Sequence, residues 1–341
     1  MRKLILILFL LFLVLYSGCL KDSAISPVEE DTNYSKVFLR YLEAQGDYIN
    51  STLMPSVISV SEVKDSLGND VILDVSSASQ FSEGHVPGSL NILSAELFNY
   101  LDTASSQKRI IIVSRSGQAA SYYAGLLRLA GFNNVYAMQF GMVGWNSAFS
   151  SYWGSSYSGK NFTNLKSPRL PYSKLPDINV ENASGDIKNN LDSRIKTLLA
   201  ESFDESTFGE VNSDASVHIF YLYTIYHSVD STYTDTFIMN VGADGSYILG
   251  PDGKLDIPGH PPRAVFYYEP NGAISDLRST AYLQTIPSDK NVVVYTQYGQ
   301  SSAFIVAYLR LLGYKAKSLL FGARWREATP IAANFAYDMG N

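Results

Sequence analysis

The sequence predicts an α/β protein with two repeated domains, each a mostly parallel sheet flanked by helices, and three observations lead to this prediction. Short apolar runs of branched residues alternate with helical patterns, and a glycine stands twice in the turn between strand and helix. The same residue spacing occurs twice along the chain. A length of 341 residues also exceeds what one hydrophobic core usually organises, which favours two domains.

The first copy of the pattern begins at residues 70–75, a run typical of a buried strand in a parallel sheet. A second apolar run covers residues 109–113, and Gly117 lies in the turn that follows it. Residues 119–129 have a helical pattern, and a further strand is predicted over residues 134–138. Strand, tight turn, helix and strand together form a right-handed crossover unit, the building block of an α/β fold.

The second copy has the same features at matching offsets. A strand predicted over residues 290–295 leads to a turn, and a helix is predicted over residues 302–310. Counted from Ser114 and from Thr296, the turn glycine comes three residues on, an arginine fourteen on and a glycine seventeen on. A glycine and a tryptophan close each copy, Gly141 with Trp145 and Gly322 with Trp325. We infer that one domain has been duplicated.

The first eighteen residues have the features of a signal peptide. Two basic residues precede the apolar run 4–15, which is too short to cross a bilayer comfortably as a permanent helix. Small residues then precede Cys19, the only cysteine in the chain, in an arrangement that resembles the lipobox of prokaryotic lipoproteins. We therefore expect Cys19 to be lipidated, which makes membrane lipid a partner. An uncleaved N-terminal anchor is the alternative, and both place the chain on the outer face of the membrane or at the cell surface.

Composition divides the rest of the chain into four segments. Residues 19–57 form a lipid-anchored tether and an N-terminal helix, and residues 58–150 form the first domain. Residues 151–185 are rich in Ser, Gly and Pro and are predicted to be a linker. Residues 186–341 form the second domain. Apolar side chains at helical spacing place the N-terminal helix between Val37 and Ile49.

Charge and composition exclude several classes of function. Basic residues number 26 against 32 acidic ones and form no basic block, so nucleic acid is not an expected partner. The four histidines have no ligand spacing, and the sequence predicts neither a metal site nor a cofactor. Four Asn-x-Ser/Thr triplets permit glycosylation without showing it. They lie at Asn33, Asn50, Asn161 and Asn182.

The first domain resembles the rhodanese family over about residues 58–150. Residues 72–75 and 83–92 match the two early signatures of the family, and residues 110–129 with the element Gly141–Trp145 complete the resemblance. The second domain is similar to the family more loosely. Its counterparts to the two signatures are residues 237–241 and 256–260, and the longer spacing to Thr296 predicts an insertion between the signatures.

The resemblance implies a loop that cradles an anionic sulfur species with successive backbone N–H groups at a helix N-terminus. Members of the family have a cysteine first in that loop, and its thiolate takes up the sulfane sulfur. Ser114 and Thr296 occupy that position here, and an alcohol cannot hold a persulfide, so no catalytic residue is predicted. The candidate anion-binding residues are Ser114, Arg115, Ser116, Gly117, Gln118, Ala119 and Ala120 in the first loop, and Thr296, Gln297, Tyr298, Gly299, Gln300 and Ser301 in the second.

Two interpretations of these loops stay open. One is a retained pocket for a sulfur oxyanion, centred on Arg115 and the loop amides, and the other is a turn that only joins strand to helix. His85 and His260, which lie in the second signatures, are predicted to be structural. The leading hypothesis is a non-enzymatic surface lipoprotein that binds a small sulfur oxyanion or an envelope protein partner. The alternative is a thiosulfate or persulfide sulfurtransferase, or a related sulfur-relay enzyme of the cell envelope.

Overall fold

The computed structural model describes residues 33–54, 57–103, 108–153, 167–207, 212–221, 235–242, 260–322 and 330–340. Several predictions concern residues outside these ranges and stay predictions. They include the signal peptide, the lipidation of Cys19, the triplet at Asn161, the early part of the linker and most of the expected insertion in the second domain. Within the described ranges, no helix is both long and apolar enough to span a bilayer.

Five short strands form the first sheet in the order β1-β5-β4-β2-β3, and every neighbouring pair is parallel. Their bounds are β1 Val57–Ile58, β2 Val71–Asp74, β3 Leu90–Asn91, β4 Ile110–Val113 and β5 Val135–Met138. The central strand β4 consists of four branched apolar residues that are all buried, as expected for a strand covered on both faces.

The second sheet repeats this topology, in the order β6-β10-β9-β7-β8 with parallel neighbours. Its strands are β6 Ser216–Val217, β7 Thr236–Asn240, β8 Val265–Phe266, β9 Asn291–Tyr295 and β10 Lys315–Leu319. Each strand has its counterpart at the same place in the first sheet. The predicted α/β fold with two parallel sheets is therefore confirmed.

Eight α-helices in the described ranges flank these sheets. They are α1 Tyr34–Glu43, α2 Val60–Asp65, α3 Ala78–Glu83, α4 Leu97–Thr103, α5 Gln118–Leu129, α6 Gly141–Trp145, α7 Ile187–Leu199 and α8 Gln300–Leu311. Ser59 and Ser77 each begin a helix with a capping box, which satisfies backbone N–H groups that have no partner inside the helix. The N-terminal helix ends at Glu43 rather than near Ile49, because Gly46 adopts a positive φ of 113° that breaks the helical path.

The two domains are joined along helices α5 and α8, which pack directly against each other. Gly125 lies at this contact. A Cβ atom added to Gly125 would lie 3.0 Å from the Ala307 Cβ and 3.1 Å from the Phe304 ring, so the two helices are close together here. Every residue of α5 is buried, because the helix has its own sheet on one side and the second domain on the other. The two sheets consequently share one continuous apolar core.

The segments at the two ends of the described chain cross between the domains. Helix α1 lies against the second domain, where the Ser35 hydroxyl donates to the Leu312 carbonyl at 2.7 Å and the Ser279 hydroxyl donates to Glu43 at 2.7 Å. Residues 330–340 return to the first domain, and the Phe335 amide donates to the Trp145 carbonyl at 3.0 Å. The predicted assignment of all residues from 186 to 341 to the second domain is therefore wrong for this tail, since it pairs with backbone of the first.

A buried histidine of the second domain should make stability depend on pH. His218 is 2% exposed, and its Nδ1 accepts a hydrogen bond from the Phe220 amide at 3.3 Å. Burial lowers the pKa of His218 to about 4. His218 of the unfolded chain therefore takes up a proton near pH 6.5, whereas His218 of the folded chain does not. The contribution of this histidine to stability is complete above pH 6.5 and is lost as the pH falls towards 4.

We expect the free energy of unfolding to fall by about 3 kcal/mol between pH 7 and pH 4 through His218 alone. The variant His218→Asn keeps an acceptor near the same place but does not titrate, so it should lose that part of the slope. Urea unfolding at a series of pH values measures the difference. Parallel curves for the two proteins would contradict the assignment.

Candidate functional site

The first candidate loop connects β4 to α5 and is held in a tight turn by two glycines. Gly117 has a φ of 82°, and a Cβ atom on Gly141 would lie 2.1 Å from the Ser114 carbonyl oxygen. Only a residue without a side chain permits this approach of backbone to loop. The Ser114 hydroxyl accepts hydrogen bonds from the amides of Gly117 and Ala120, both at 3.2 Å. Ser114 thus caps the turn from within and is buried.

The cradle formed by this loop contains a carboxylate of the same chain, that of Glu205. Five hydrogen bonds hold it, three from backbone amides and two from hydroxyl groups. The amides are those of Ser116 at 3.1 Å, Gln118 at 2.8 Å and Ala119 at 2.7 Å. The hydroxyls are those of Ser114 and Ser116, both at 2.9 Å. The Glu205 carboxylate therefore accepts hydrogen bonds from the N–H groups at the start of α5 that were predicted to bind an external anion.

The chemistry of this contact is favourable on two counts. The first N–H groups of a helix have no partner inside it, and the helix dipole attracts negative charge to the same end. Hydrogen bonds to an ionised acceptor are also shorter and stronger than those between neutral groups. Glu205 is positioned by its neighbours, because Phe203 is buried with its ring 5.5 Å from that of Tyr122, and Thr207 is buried as well.

The Arg115 side chain does not contact the carboxylate in the cradle. The predicted anion pocket centred on Arg115 is therefore wrong, because the guanidinium points away from the loop amides. The side chain is 1% exposed and points into the first domain. It donates to the Ser76 hydroxyl at 3.0 Å, to the Gly84 carbonyl at 3.0 Å and to the Asp74 carboxylate at 3.2 Å. All three nitrogens of the guanidinium are used within the fold, because Asp74 is itself fully buried and needs a counter-charge.

Asp74 belongs to the first signature and links it to the loop. Its carboxylate accepts from the Ser76 amide at 2.8 Å. Burial raises the pKa of Asp74, while Arg115 and the hydrogen bonds to Ser76 oppose that rise. His85 of the second signature is also buried, with its ring stacked on Phe81 at 3.7 Å and its Nδ1 2.9 Å from the Phe81 carbonyl. These contacts are structural ones, as predicted for His85.

Two glutamines at the starts of α5 and α8 connect the loops of the two domains. The Gln118 side chain accepts from the Phe321 amide of the second domain at 2.8 Å and donates to the Ser116 hydroxyl at 2.9 Å. In the reverse direction, Gln300 accepts from the Phe140 amide at 2.9 Å and donates to the Gly117 carbonyl at 3.0 Å. The contact is reciprocal, as expected from two copies that face each other across an approximate two-fold axis.

The second candidate loop connects β9 to α8 and repeats the turn of the first. The Thr296 hydroxyl accepts from the Gly299 amide at 3.1 Å, and Gly299 has a φ of 87°. This loop borders a cavity of about 620 Å³. Among the described residues, the side chains that line the cavity are apolar, aromatic or uncharged polar ones, and none of them is an acid, a lysine or an arginine. His260 lies apart from this lining, fully buried, with its Nδ1 2.9 Å from the Pro261 carbonyl.

Sequence reasoning located both loops but missed Glu205. Nothing in the local sequence marks this residue, which lies between a helix and a short strand in a polar stretch. Its role follows from the packing of the segment after α7 against α5, a long-range contact that no local pattern encodes. The structure places Ser114, Ser116, Gln118 and Ala119 around the carboxylate, and Arg115 away from it. Among the described residues, no group of His, Cys, Asp or Glu side chains is arranged to hold a metal ion.

The sheet order, the glycine turn and the helix that begins after it define a class of domain in which a tight loop joins the end of a central parallel strand to a helix N-terminus. Comparison with known proteins gives the class its name. The sequence profile of the rhodanese-like domain matches residues 59–148, and the chain belongs to the rhodanese-like family.

The curated relatives of this chain include two thiosulfate sulfurtransferases. The chain is 30% identical over 95 residues to the thiosulfate sulfurtransferase GlpE of Pseudoalteromonas translucida, a match that covers 27% of this chain and 90% of the relative. It is 26% identical over 77 residues to the enzyme of the same name from Shewanella oneidensis, covering 23% of this chain and 76% of the relative. Among solved structures, a rhodanese-related protein from Thermoplasma volcanium aligns with 18% identity and a TM-score of 0.24, covering 26% of this chain and 87% of that one.

Proposed function

We propose that this chain is a non-catalytic tandem rhodanese-like protein that acts as a binding or scaffolding module, tethered through Cys19 to the outer face of a membrane. The observation that carries the proposal is the Glu205 carboxylate in the first loop. Sulfur transfer needs the loop amides to receive the substrate anion, and here five hydrogen bonds from that loop go to an internal group.

The chemistry of the loop residues supports the same proposal. Ser114 and Thr296 stand where relatives have the sulfur-carrying cysteine, and a hydroxyl neither ionises near neutral pH nor holds a persulfide. The Ser114 hydroxyl donates to the Glu205 carboxylate at 2.9 Å as part of a hydrogen-bonded cap, and that carboxylate lies where a substrate anion would have to bind. The chain's single cysteine, Cys19, is far along the sequence from both loops.

The scaffolding role is supported by how the two domains are joined. A shared core and the crossed glutamines Gln118 and Gln300 fix the domains to each other, so the molecule offers one rigid surface rather than two mobile ones. In this proposal the first loop serves the fold and binding takes place elsewhere on the paired domains. An envelope protein or a small ligand is the proposed partner.

A direct assay tests the proposal against the alternative of a sulfurtransferase. We expect purified Cys19→Ser protein to transfer no sulfur from thiosulfate or from mercaptopyruvate to cyanide, because it contains no thiol. The Pseudoalteromonas translucida sulfurtransferase serves as the positive control under the same conditions. Turnover by the thiol-free protein, at a rate that rises with its concentration, would overturn the proposal and make the chain an enzyme.

A further inference from the structure

We propose that Asn182 carries an N-linked glycan, whereas the acceptor triplets at Asn33 and Asn50 stay unmodified in the folded protein. The inference rests on the proposed function for the export of the chain, which brings it to the enzymes that attach such glycans. Asn-x-Ser/Thr triplets are required acceptors but also arise by chance, so the structural setting of each triplet decides between them. The triplet at Asn161 lies outside the described residues.

Asn182 lies in an exposed turn shortly before α7. Its φ is 53°, a left-handed value that asparagine adopts more readily than most residues. Every residue from 181 to 187 is exposed to solvent, and no hydrogen bond joins the Asn182 side chain to any residue that the structure describes. The amide nitrogen of this side chain can therefore take a bulky substituent without displacing another part of the fold.

The serine of the same triplet is held by contacts with residues close to it in sequence. The Ser184 hydroxyl donates to the Asp186 carbonyl at 3.1 Å, and the Ser184 amide donates to the Asn190 side chain at 2.8 Å. The Asn190 side chain donates in return to the Ser184 carbonyl at 2.8 Å. A transferase must reach the serine as well as the asparagine, because both belong to the acceptor motif. Drawing this triplet out would open one local turn and no part of the hydrophobic core.

The triplet at Asn33 is built into the fold. The Asn33 side chain caps α1, where its Oδ1 accepts from the Ser35 amide at 2.9 Å, and its Nδ2 donates to the Pro176 carbonyl at 3.1 Å. Ser35 is fully buried, and its hydroxyl donates to the Leu312 carbonyl at 2.7 Å. A glycan on the Asn33 nitrogen would push the linker away from the start of α1. Presenting Ser35 to an enzyme would require α1 to leave the second domain.

The triplet at Asn50 is tied to both domains. Asn50 is exposed, but its Nδ2 donates at 3.0 Å to the carbonyl of Ile274, which is 224 residues away, and at 3.0 Å to the Asp47 carboxylate. The Thr52 carbonyl accepts from the Arg128 guanidinium at 3.4 Å. Reaching this triplet would therefore break long-range contacts. Of the three described triplets, the one at Asn182 is the triplet whose contacts are all local.

The modification is a group transfer from a lipid-linked oligosaccharide, the class of donor that the reaction requires. A bond forms between the Asn182 Nδ2 and the anomeric carbon of the first sugar. The bond between that carbon and the phosphate oxygen of the donor breaks, and the amide gives up one proton. The phosphate leaves with the electron pair of the broken bond, so no atom is oxidised or reduced.

Transfer to the purified full-length protein in its folded state tests the inference, with an oligosaccharyltransferase and its lipid-linked donor as the reagents. We expect occupancy at Asn182, measured by mass spectrometry of glycopeptides, to be at least about tenfold higher than at Asn33 or Asn50. Synthetic peptides covering residues 30–38 and 179–187, whose triplets both end in serine, should be modified at similar rates. Equal occupancy of Asn33 and Asn182 in the folded protein, or the same preference in the peptides, would overturn the inference.

Protein isolated from the membranes of the cells that make it tests whether the modification takes place there. We expect a glycopeptide at Asn182 and its loss in Asn182→Asp, a variant that tolerates the left-handed backbone but offers no amide nitrogen. An unmodified Asn182 in this material would overturn the inference. Protease added to intact cells shows whether the chain lies on the outer face, and sulfur transfer is measured on the same preparation. Failure of the modification and failure of the proposed function therefore give different results.

Discussion

Replacing Arg115 with methionine should lower the free energy of unfolding by about 3–5 kcal/mol, the cost of leaving a buried charge without its partner. The guanidinium and the Asp74 carboxylate are 1% and 0% exposed, and their atoms are 3.2 Å apart. The arginine also donates to Ser76 and to the Gly84 carbonyl, and both acceptors would lose that donor. Chemical denaturation at pH 7 measures the change.

The chain provides a matched control for this experiment. Arg109→Met breaks the pair with Asp70, in which the side chains are 40% and 8% exposed, and should cost less than Arg115→Met because solvent reaches the Arg109 guanidinium. The double variant Asp74→Asn with Arg115→Met should recover part of the loss, because no uncompensated charge is then buried. The penalty of the single variant should also shrink in acid, where Asp74 takes up a proton. A cost for Arg115→Met no larger than that for Arg109→Met would show that the buried pair contributes little.

The second large effect concerns the reactivity of a thiol placed in the first loop. Ser114→Cys, made in the Cys19→Ser background, should react slowly with iodoacetamide at pH 7, because the neighbouring Glu205 carboxylate disfavours the thiolate. Adding Glu205→Gln removes that charge and leaves the amides of α5 to stabilise a thiolate instead. We expect alkylation at least about tenfold faster, which corresponds to a fall of one unit or more in the pKa of the introduced thiol.

The control for this experiment is Asp204→Asn, which removes the same charge one residue earlier in the chain. The Asp204 side chain bonds to Ser206 and not to the loop, so its removal should leave the alkylation rate nearly unchanged. The pH dependence of the rate separates a change in thiol pKa from a change in access. If Glu205→Gln and Asp204→Asn had the same effect, the carboxylate would not be acting within the cradle.

The crossover unit of each domain could be predicted from the sequence because its central strand and the helix that follows have local signals. The runs at residues 110–113 and 291–295 are continuous and apolar, as buried parallel strands are, and Gly131 and Gly313 mark the helix ends with positive φ values of 95° and 89°. The repeated offsets predicted a duplicated domain, and the strand order is the same in the two sheets.

The contents of the site could not be predicted in the same way. An arginine in an anion-binding loop is expected to face the anion, but the orientation of Arg115 depends on Asp74, which is 41 residues away in sequence and buried beside it. Glu205 is 91 residues from Ser114, and its position depends on how the segment after α7 packs on the first domain. Contacts of this range are determined by tertiary packing, which leaves no periodic pattern in the sequence.

The crossing of the end segments limits how the molecule can be divided. A fragment that stops at residue 150 lacks the tail whose Ala336 carbonyl accepts from the Trp145 indole at 2.9 Å, and also lacks Phe335, whose ring lies 5.1 Å from that indole. A fragment that starts at residue 186 lacks α1, which covers the end of α8 near Leu312. Each half thus carries part of the other's hydrophobic covering, and we expect the chain to melt in a single transition rather than as two independent modules.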